Sequence, residues 1–526
     1  MKLEFLKLFN SPANNGAFDN FEVFFERDLY NSKFSPICLI GPNGSGKSQF
    51  LQIIAEIFQA AWHVAAPKEE RKIANDDIIF ELQYIIRPIN EKEYVTVKLI
   101  RSKKGKSVEF LISKNSETII IKKEEYYKFL PSIIVGYTSG DNETLSLPFL
   151  VSRSGYAEEV ASSAISQANE PVYDNRLVMI DYSTNLEVLF ANMILGNQNT
   201  REKILSHAGL SDLASCRCTI RLAHSVINKA PLRLTKITGR KGIQLTSELE
   251  DTISCLQKIA TCWSVDEKTE TYTFDFFINT EMRKAFAHYW ENSFKLYRAL
   301  HKLALLNDLA IPRSARKRLE KAVKEKRFAT RLPEPQQEEM VFSFEEVRFW
   351  PKGKKHQPLD YVSLSDGEHQ QALILGTYAM INENNALFLL DEPESHFNPQ
   401  WRVKFVQRLM DLTDQRIYQD LLLTSHSPFV PSDMPKEQIV IFSKDPHQDK
   451  IIAKSPPIET FGATFDRILE NCFEISPPIS KIAENRINEL LLSNNVEEIE
   501  TALNELGQSV EKAFLADHLR RLKKKI

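Results

Sequence analysis

A glycine-rich segment near the start of the chain has the spacing of a loop that binds phosphate. It follows the apolar run 37–40 and precedes apolar residues at helical spacing. Glycines let backbone N–H groups of such a loop point at a β-phosphate, and the following helix start adds a favourable dipole. Lys47 is then expected to reach the β- and γ-phosphates, and Ser48 to hold Mg²⁺. The segment consists of Gly41, Pro42, Asn43, Gly44, Ser45, Gly46, Lys47 and Ser48.

Two acidic residues end another apolar run, residues 386–390. A buried strand there would carry both carboxylates to the edge of a sheet. We expect Asp391 to contact Mg²⁺ directly or from its second shell, and Glu392 to orient and deprotonate an attacking water. Alone, an acidic turn before Pro393 would be the simpler interpretation. Beside a phosphate loop, the catalytic interpretation is favoured.

Residues 364–368 precede a stretch with helical spacing. Ser365 suits the N-cap, and Glu368 completes a capping box three residues later. A helix start with a serine hydroxyl and the backbone of Gly367 also suits an anion. Both interpretations are compatible, and we predict that Ser365, Gly367 and Glu368 contact nucleotide.

A histidine, His426, follows the apolar run 421–423 and Thr424. At the tip of a buried strand, its imidazole would be able to touch a γ-phosphate. A lone histidine after a strand is usually structural, but the spacing after Asp391 favours a catalytic role.

The elements that must position these residues follow from apolar periodicity. Helical spacing predicts helices at 49–62, 185–195, 246–259 and 280–306, and the last 80 residues are mostly helical in pattern. Strands are predicted at 3–9, 18–25, 37–40, 78–82, 94–100, 118–121, 132–137, 272–278 and 340–344.

Composition sets the broad class of the protein. The chain has 526 residues, is 43% hydrophobic and 26% charged, and carries a net charge of −3. This length predicts two or three domains, and the charge gives no global attraction to nucleic acid or membrane. The six cysteines fit a reducing cytoplasm; a zinc site at Cys216 and Cys218 is an alternative to buried thiols. No signal peptide and no membrane span is predicted.

Taken in this order, the motifs resemble those of ATP-binding-cassette (ABC) heads of the RecF, SMC and OLD-nuclease group. Glu368 stands where transporter cassettes usually have glutamine. Residues 391–399 resemble the D-E-P-E-x-H-L-H-P run of soluble defence and repair ATPases. The resemblance implies ATP and Mg²⁺ as ligands. It also implies a head-to-head dimer in which Ser365 and Gly367 of each copy complete the partner's ATP site.

The fold class implied by the resemblance is α/β, a P-loop NTPase of ABC head type. It has a central mixed sheet with an antiparallel lobe and a mostly helical insertion. We expect head halves at 1–149 and 338–445, the insertion at 150–337 and a helical extension at 446–526. The glutamine loop of the family is not obvious; its expected place is 139–143, with Ser139 or Asn142 as the equivalent. No residue is assigned to adenine.

Flanking segments resemble those of bacterial defence ATPases. Residues 135–149 are similar to a stretch of restriction-associated ATPases, and 459–463 with 506–511 are similar to tails of Septu-type proteins. This implies an anti-phage complex that controls a separate effector, such as an HNH nuclease. The alternatives are a RecF-like DNA-repair ATPase, a transporter head and, least favoured, a nuclease in its own right.

A basic stretch at 313–331 is the candidate DNA contact. Arg316, Lys317, Lys321 and Lys324 share one predicted helical face. They would either form a solvated face between domains, which is the commoner outcome, or bind DNA phosphates.

Overall fold

The computed structural model describes most of residues 1–524. Nothing is described for these positions: 12, 28–33, 72–74, 90, 92, 116, 140–142, 155, 157–158, 161–162, 164–171, 181–183, 224–241, 313, 316, 319–320, 322–334, 354–356, 413–417, 446 and 525–526.

A seven-stranded sheet forms the centre of the fold, in the order β18-β17-β3-β16-β15-β8-β9. All neighbouring strands are parallel except the β17–β18 pair. The inner strands are continuous apolar runs because both faces of the sheet are covered. The strands are β3 (Ile37–Ile40), β8 (Ile134–Thr138), β9 (Leu177–Ile180), β15 (Leu387–Asp391), β16 (Asp420–Thr424), β17 (Ile439–Lys444) and β18 (Ile451–Lys454).

An antiparallel six-stranded sheet forms a lobe beside it, in the order β2-β1-β4-β5-β6-β7. Its strands alternate buried and exposed residues, as expected when one face packs on a core. They are β1 (Lys2–Asn10), β2 (Phe21–Phe24), β4 (Ile79–Ile86), β5 (Val95–Arg101), β6 (Glu109–Lys114) and β7 (Glu117–Ile119).

A third sheet is antiparallel and five-stranded, in the order β11-β12-β10-β13-β14. It joins distant parts of the chain, because β10 pairs with β13. Its strands are β10 (Leu210–Arg221), β11 (Cys262–Asp266), β12 (Thr271–Phe277), β13 (Phe342–Pro351) and β14 (Leu359–Asp360).

The α-helices of the first two thirds of the chain are α1 (Lys47–Ala65), α2 (Glu143–Ser154), α3 (Asn185–Leu195), α4 (Gln198–Leu205), α5 (Ser247–Ile259), α6 (Thr280–Tyr289) and α7 (Ser293–Leu305). Those of the last third are α8 (Asp366–Met380), α9 (Pro399–Arg402), α10 (Phe405–Asp411), α11 (Phe429–Ser432), α12 (Phe465–Cys472), α13 (Lys481–Leu492), α14 (Val496–Glu505) and α15 (Val510–Lys523).

Two large cores lie on opposite faces of the seven-stranded sheet. Leu39 and Leu389 face α1 and the antiparallel lobe. Cys38 and Leu390, their neighbours along the same strands, face α3, α8 and the five-stranded sheet. The sheet is therefore the middle layer, and its strand ends reach one edge that both cores support. Helices α13 to α15 have a small cluster of their own, around Ile487 and Leu515.

Most strands and helices lie where the sequence predicted them, and the α/β fold class with its antiparallel lobe is confirmed. Two features differ. The stretch 280–306 is interrupted between α6 and α7, where the side chain of Asn292 accepts a hydrogen bond from the backbone of Lys295 and caps a new helix. Residues 150–337, the expected helical insertion, also carry the long strand β10, and β9 within them pairs with β8 of the seven-stranded sheet.

Among the described residues, no helix is both long and apolar enough to cross a membrane.

Candidate functional site

The phosphate loop connects β3 to α1 at the edge of the seven-stranded sheet. Gly46 caps α1 in the left-handed conformation, with φ 88°. A Cβ on this residue would lie 2.4 Å from Ile451 Cδ1, so both the conformation and the space require glycine. Pro42, Asn43 and Gly44 are exposed, whereas Ser45 is buried. The first part of the loop is therefore open to solvent, whereas the part that leads into α1 is packed.

Lys47 bends back into this loop. Its Nζ donates hydrogen bonds to the carbonyl oxygens of Gly41, at 2.9 Å, and Pro42, at 3.1 Å. Burial lowers the pKa of Lys47 to about 8, and the carboxylates of Glu392 and Asp391 partly oppose that shift. The buried hydroxyl of Ser45 has no hydrogen-bond partner among the described residues. An anion in the loop would supply an acceptor to both groups, so these residues fit a nucleotide phosphate.

Three oxygen-bearing side chains meet at the start of α1. Ser48 Oγ donates to Asp391 Oδ1 at 2.9 Å, and Thr424 Oγ1 donates to the same oxygen at 2.6 Å. Carboxylate and hydroxyl oxygens are the ligands that Mg²⁺ prefers in proteins. The donor set therefore fits Mg²⁺, which Ser48 and Asp391 would hold.

Glu392 follows β15 in the left-handed backbone conformation, with φ 49°. Its backbone N–H donates to Thr424 Oγ1 at 2.9 Å, and its Oε1 lies 3.1 Å from His426 Nε2. The hydrogen bond from His426 lowers the pKa of Glu392 below its ordinary value, although burial opposes the shift. Both side chains remain partly exposed. An ionised, accessible carboxylate held by a histidine is suited to accept a proton from water.

These contacts bring together three of the four sequence motifs, and they follow from strand geometry. Parallel strands β3, β15 and β16 end at the same edge, with Thr424 opposite Leu39 and Leu390 opposite Leu423. Motifs separated by hundreds of residues therefore meet without any local sequence link.

The fourth motif lies beside His396, beyond the end of β15, and not at the phosphate loop. Ser365 precedes α8. Its backbone N–H and its hydroxyl both donate to Glu368 Oε2, each at 2.8 Å. His207 Nε2 lies 2.9 Å from the carbonyl oxygen of Glu368, and Gly367 packs beside His396. Within the described part of the chain, no recorded hydrogen bond or ion pair joins this motif to residues 41–48.

Other sequence predictions are only partly within the described residues. Ser139 is described; its backbone N–H donates to the carbonyl of Asp391, and its carbonyl lies 3.1 Å from His396 Nε2. Asn142 lies outside the described residues, as do Arg316 and Lys324. Lys317 and Lys321 are exposed.

The motif reading assigned no role to Glu394, Thr424 or Ser425. All three are almost fully buried. Thr424 bonds Asp391, and Ser425 Oγ donates a short hydrogen bond to Glu394. The sequence signal that could have found them is a polar residue at or just beyond the end of a buried strand, because a buried polar residue usually needs a hydrogen-bond partner.

A comparison with protein families gives a match over residues 260–433. The family is described as an AAA domain, putative AbiEii toxin, type IV toxin–antitoxin system.

Two solved SMC heads also resemble the chain. One, from Thermotoga maritima, is 10% identical, with a TM-score of 0.32 over 87% of this chain and 100% of its own. Another, bound to the C-terminal domain of ScpA derived from Pyrococcus furiosus, is 12% identical, with a TM-score of 0.30 over 86% and 96%. At such values the likeness carries no argument.

The central sheet with its antiparallel lobe supplies the fold, and the phosphate loop at its edge supplies the site. Together with the family match over residues 260–433, they agree with the P-loop ATPase of ABC type that the motifs predicted.

Proposed function

We propose that this protein binds ATP with Mg²⁺ and hydrolyses it at a head-to-head interface between two copies. The observation that carries the proposal is the pair Glu392 and His426, 3.1 Å apart, beside the Ser48–Asp391 pair. This geometry supports a base beside the residues suited to Mg²⁺, at the end of the phosphate loop.

Each residue has a distinct role in this proposal. The backbone of residues 41–46 and the ammonium of Lys47 hold the phosphates, and Lys47 leaves the loop carbonyls to do so. Ser48 and Asp391 hold Mg²⁺, which when bound neutralises charge on the phosphate oxygens. Glu392 orients a water and takes its proton, while His426 fixes the carboxylate and senses the γ-phosphate.

A second copy would complete the site. Ser365 is exposed, and Val362, three residues earlier, is 87% exposed. An exposed serine at a helix start, with an exposed apolar side chain three residues earlier, suits contact with another copy. In the proposed dimer Ser365 and Gly367 cap the γ-phosphate held by the partner.

We further propose that the ATPase is the regulatory scaffold of an anti-phage defence complex. The matched family is described as a putative toxin of a type IV toxin–antitoxin system, which supports a role of this kind. ATP state would reach a separate effector, such as an HNH nuclease, through the insertion 150–337 or the extension 446–526. Co-purification from the native operon should recover that nuclease, and recovery of the ATPase alone would count against it.

A RecF-like DNA-repair ATPase is the second candidate, favoured by the exposed Lys317 and Lys321. It predicts that DNA ends or junctions stimulate hydrolysis. Charge reversal at both lysines should then remove the stimulation, whereas a defence scaffold without DNA contact would show none.

The decisive test of the ATPase itself is the Glu392→Gln variant. We expect its kcat to fall by about 10²–10⁴-fold because the base is lost, while ATP still binds. Lys47→Ala should lose ATP binding. Glu437→Gln, at an exposed glutamate outside the four motifs, is the matched control and should keep wild-type activity. Wild-type hydrolysis by Glu392→Gln would show that the base is another group.

A further inference from the structure

A buried carboxyl group lies directly beneath the catalytic turn and has no role in the steps above. Glu394 is 3% exposed, although it is only two residues from the accessible Glu392. Its Oε1 accepts a short hydrogen bond from the hydroxyl of Ser425. Its Oε2 is buried and has no hydrogen-bond partner among the described residues. Burying a carboxyl group costs free energy of folding, so its presence at this position calls for a structural or functional explanation.

Ser425 connects this carboxyl to the backbone on both sides of His426. Its Oγ accepts a hydrogen bond from the backbone N–H of Ser427 at 3.0 Å, and its own N–H donates to the carbonyl of Leu39 in β3 at 3.0 Å. Ser425 and Ser427 are both buried. His426 is therefore the exposed middle residue of a turn whose two flanking residues are fixed.

The chain just after Glu394 is held by Arg402 on α9. Burial raises the pKa of Glu394, and the hydrogen bond from Ser425 and the positive charge of Arg402 partly oppose that rise. Arg402 donates to the carbonyls of Ser395 and Phe397 and so fixes the chain just beyond Glu394. The acceptor for Ser425 is thus itself immobilised, which is what a support for a catalytic group requires.

We propose that Glu394 is a positioning residue for ATP hydrolysis. Acting through Ser425, it fixes the turn that aims His426 Nε2 at Glu392. The inference rests on the proposed ATPase function and adds a residue that makes no contact with substrate. Because a displacement of about 1 Å can cost about 10²-fold in rate, loss of this support should be visible in catalysis. The phosphate loop is untouched, so nucleotide binding should be preserved.

The test is a steady-state kinetic comparison of Glu394→Ala, Ser425→Ala and Glu394→Gln with the wild type, using MgATP. For both alanine variants we expect kcat to fall about 10- to 100-fold with KM changed less than about twofold. Glu394→Gln should keep most of the activity, because its amide oxygen can still accept from Ser425. Ser432→Ala is the matched control, since that hydroxyl also donates to a carbonyl, that of Ala463, but does not contact the turn.

A double-mutant cycle separates positioning from a general loss of structure. If Glu394 acts through His426, Ser425→Ala combined with His426→Ala should be no slower than His426→Ala alone. Additive losses would overturn the inference, and so would wild-type kcat in Ser425→Ala. If Glu394→Ala fails to fold, Ser425→Ala decides the matter. A wild-type protein without hydrolysis would overturn the proposed function and this inference together, whereas an active wild type with unaffected variants overturns the inference alone.

Discussion

Glu392 and Glu394 are two residues apart, and their pKa values are shifted in opposite directions. The hydrogen bond from His426 lowers the pKa of Glu392, whereas burial raises the pKa of Glu394 to about 7. The difference comes from the chain direction after β15, which leaves one side chain at the surface and turns the other beneath the site. Local environment, not residue type, therefore separates a carboxylate suited to act as base from one suited to support.

Glu394→Gln should change the pH dependence of stability. A carboxyl whose pKa is raised in the folded state contributes to the free energy of unfolding. That contribution is complete below the unfolded pKa of 4.5 and is lost as pH rises through about 7. Glutamine does not titrate. The variant should therefore gain stability relative to wild type between pH 5 and pH 8, by up to about 3 kcal/mol. Denaturant unfolding of both proteins at the two pH values measures the change.

The matched control for this experiment is Glu437→Gln, an exposed position where the difference from wild type should not vary with pH. A constant difference for Glu394→Gln as well would show that Glu394 does not titrate near 7.

Individual residues differed in how far sequence predicted them. Ser48, Asp391 and Glu392 stand in motifs whose spacing predicted their roles, and in the structure Ser48 contacts Asp391 while Glu392 contacts His426. Glu394 and Ser425 belong to the same motifs, but their pairing is a contact between the ends of two strands. No local spacing encodes it, so sequence alone marks them only as polar residues after buried strands.

At the scale of elements, the unit formed by β3, the loop and α1 depends on one backbone position. Gly46→Ala should be destabilising twice over. The left-handed conformation costs about 1–2 kcal/mol for a residue with a side chain. Its Cβ would also meet Ile451 Cδ1 at 2.4 Å and Phe18 Cζ at 2.8 Å. We expect a lower melting temperature and weaker ATP binding, measured by thermal unfolding and isothermal titration.

Gly44→Ala separates these two effects. Gly44 also has a positive φ, 76°, but a Cβ there meets nothing within 4 Å. It should show the conformational cost without the steric one. Equal losses in the two variants would mean that packing against Phe18 and Ile451 does not constrain the loop.

Elements with strong periodicity were predictable, and those formed by distant pairing were not. Residues 185–195 form α3 over the predicted range, because the apolar spacing that predicts this helix lies within the helix itself. Strand β10 was missed. Its sequence mixes polar and apolar residues, and it is stabilised by β12 and β13, the second of which lies more than 100 residues away. Such pairing depends on tertiary contact more than on intrinsic preference.

At the scale of the whole molecule, the arrangement divides the ATP motifs into two groups. Three lie at one edge of the central sheet, between the two large cores. The fourth begins α8 and contacts His207 and the segment after β15 instead. A chain in which the described residues of the fourth motif do not contact its own phosphate loop has the parts of a site that another copy can complete. An interface of this kind would be symmetric, each copy giving and receiving the same residues.

Ser365→Arg should therefore abolish dimerisation without preventing nucleotide binding by the monomer. The expected background is Glu392→Gln, which retains ATP and should accumulate as a closed dimer. In that background, the larger side chain of an arginine at position 365 occupies the space where a partner's phosphate would lie. Light scattering after size exclusion with MgATP should show dimer for Glu392→Gln and monomer for the double variant.

Ser107→Arg, at an exposed serine of the antiparallel lobe, is the matched control and should remain dimeric. A dimer that persists with Ser365→Arg would mean that this motif does not lie at the interface, and that the ATP site is completed in some other way.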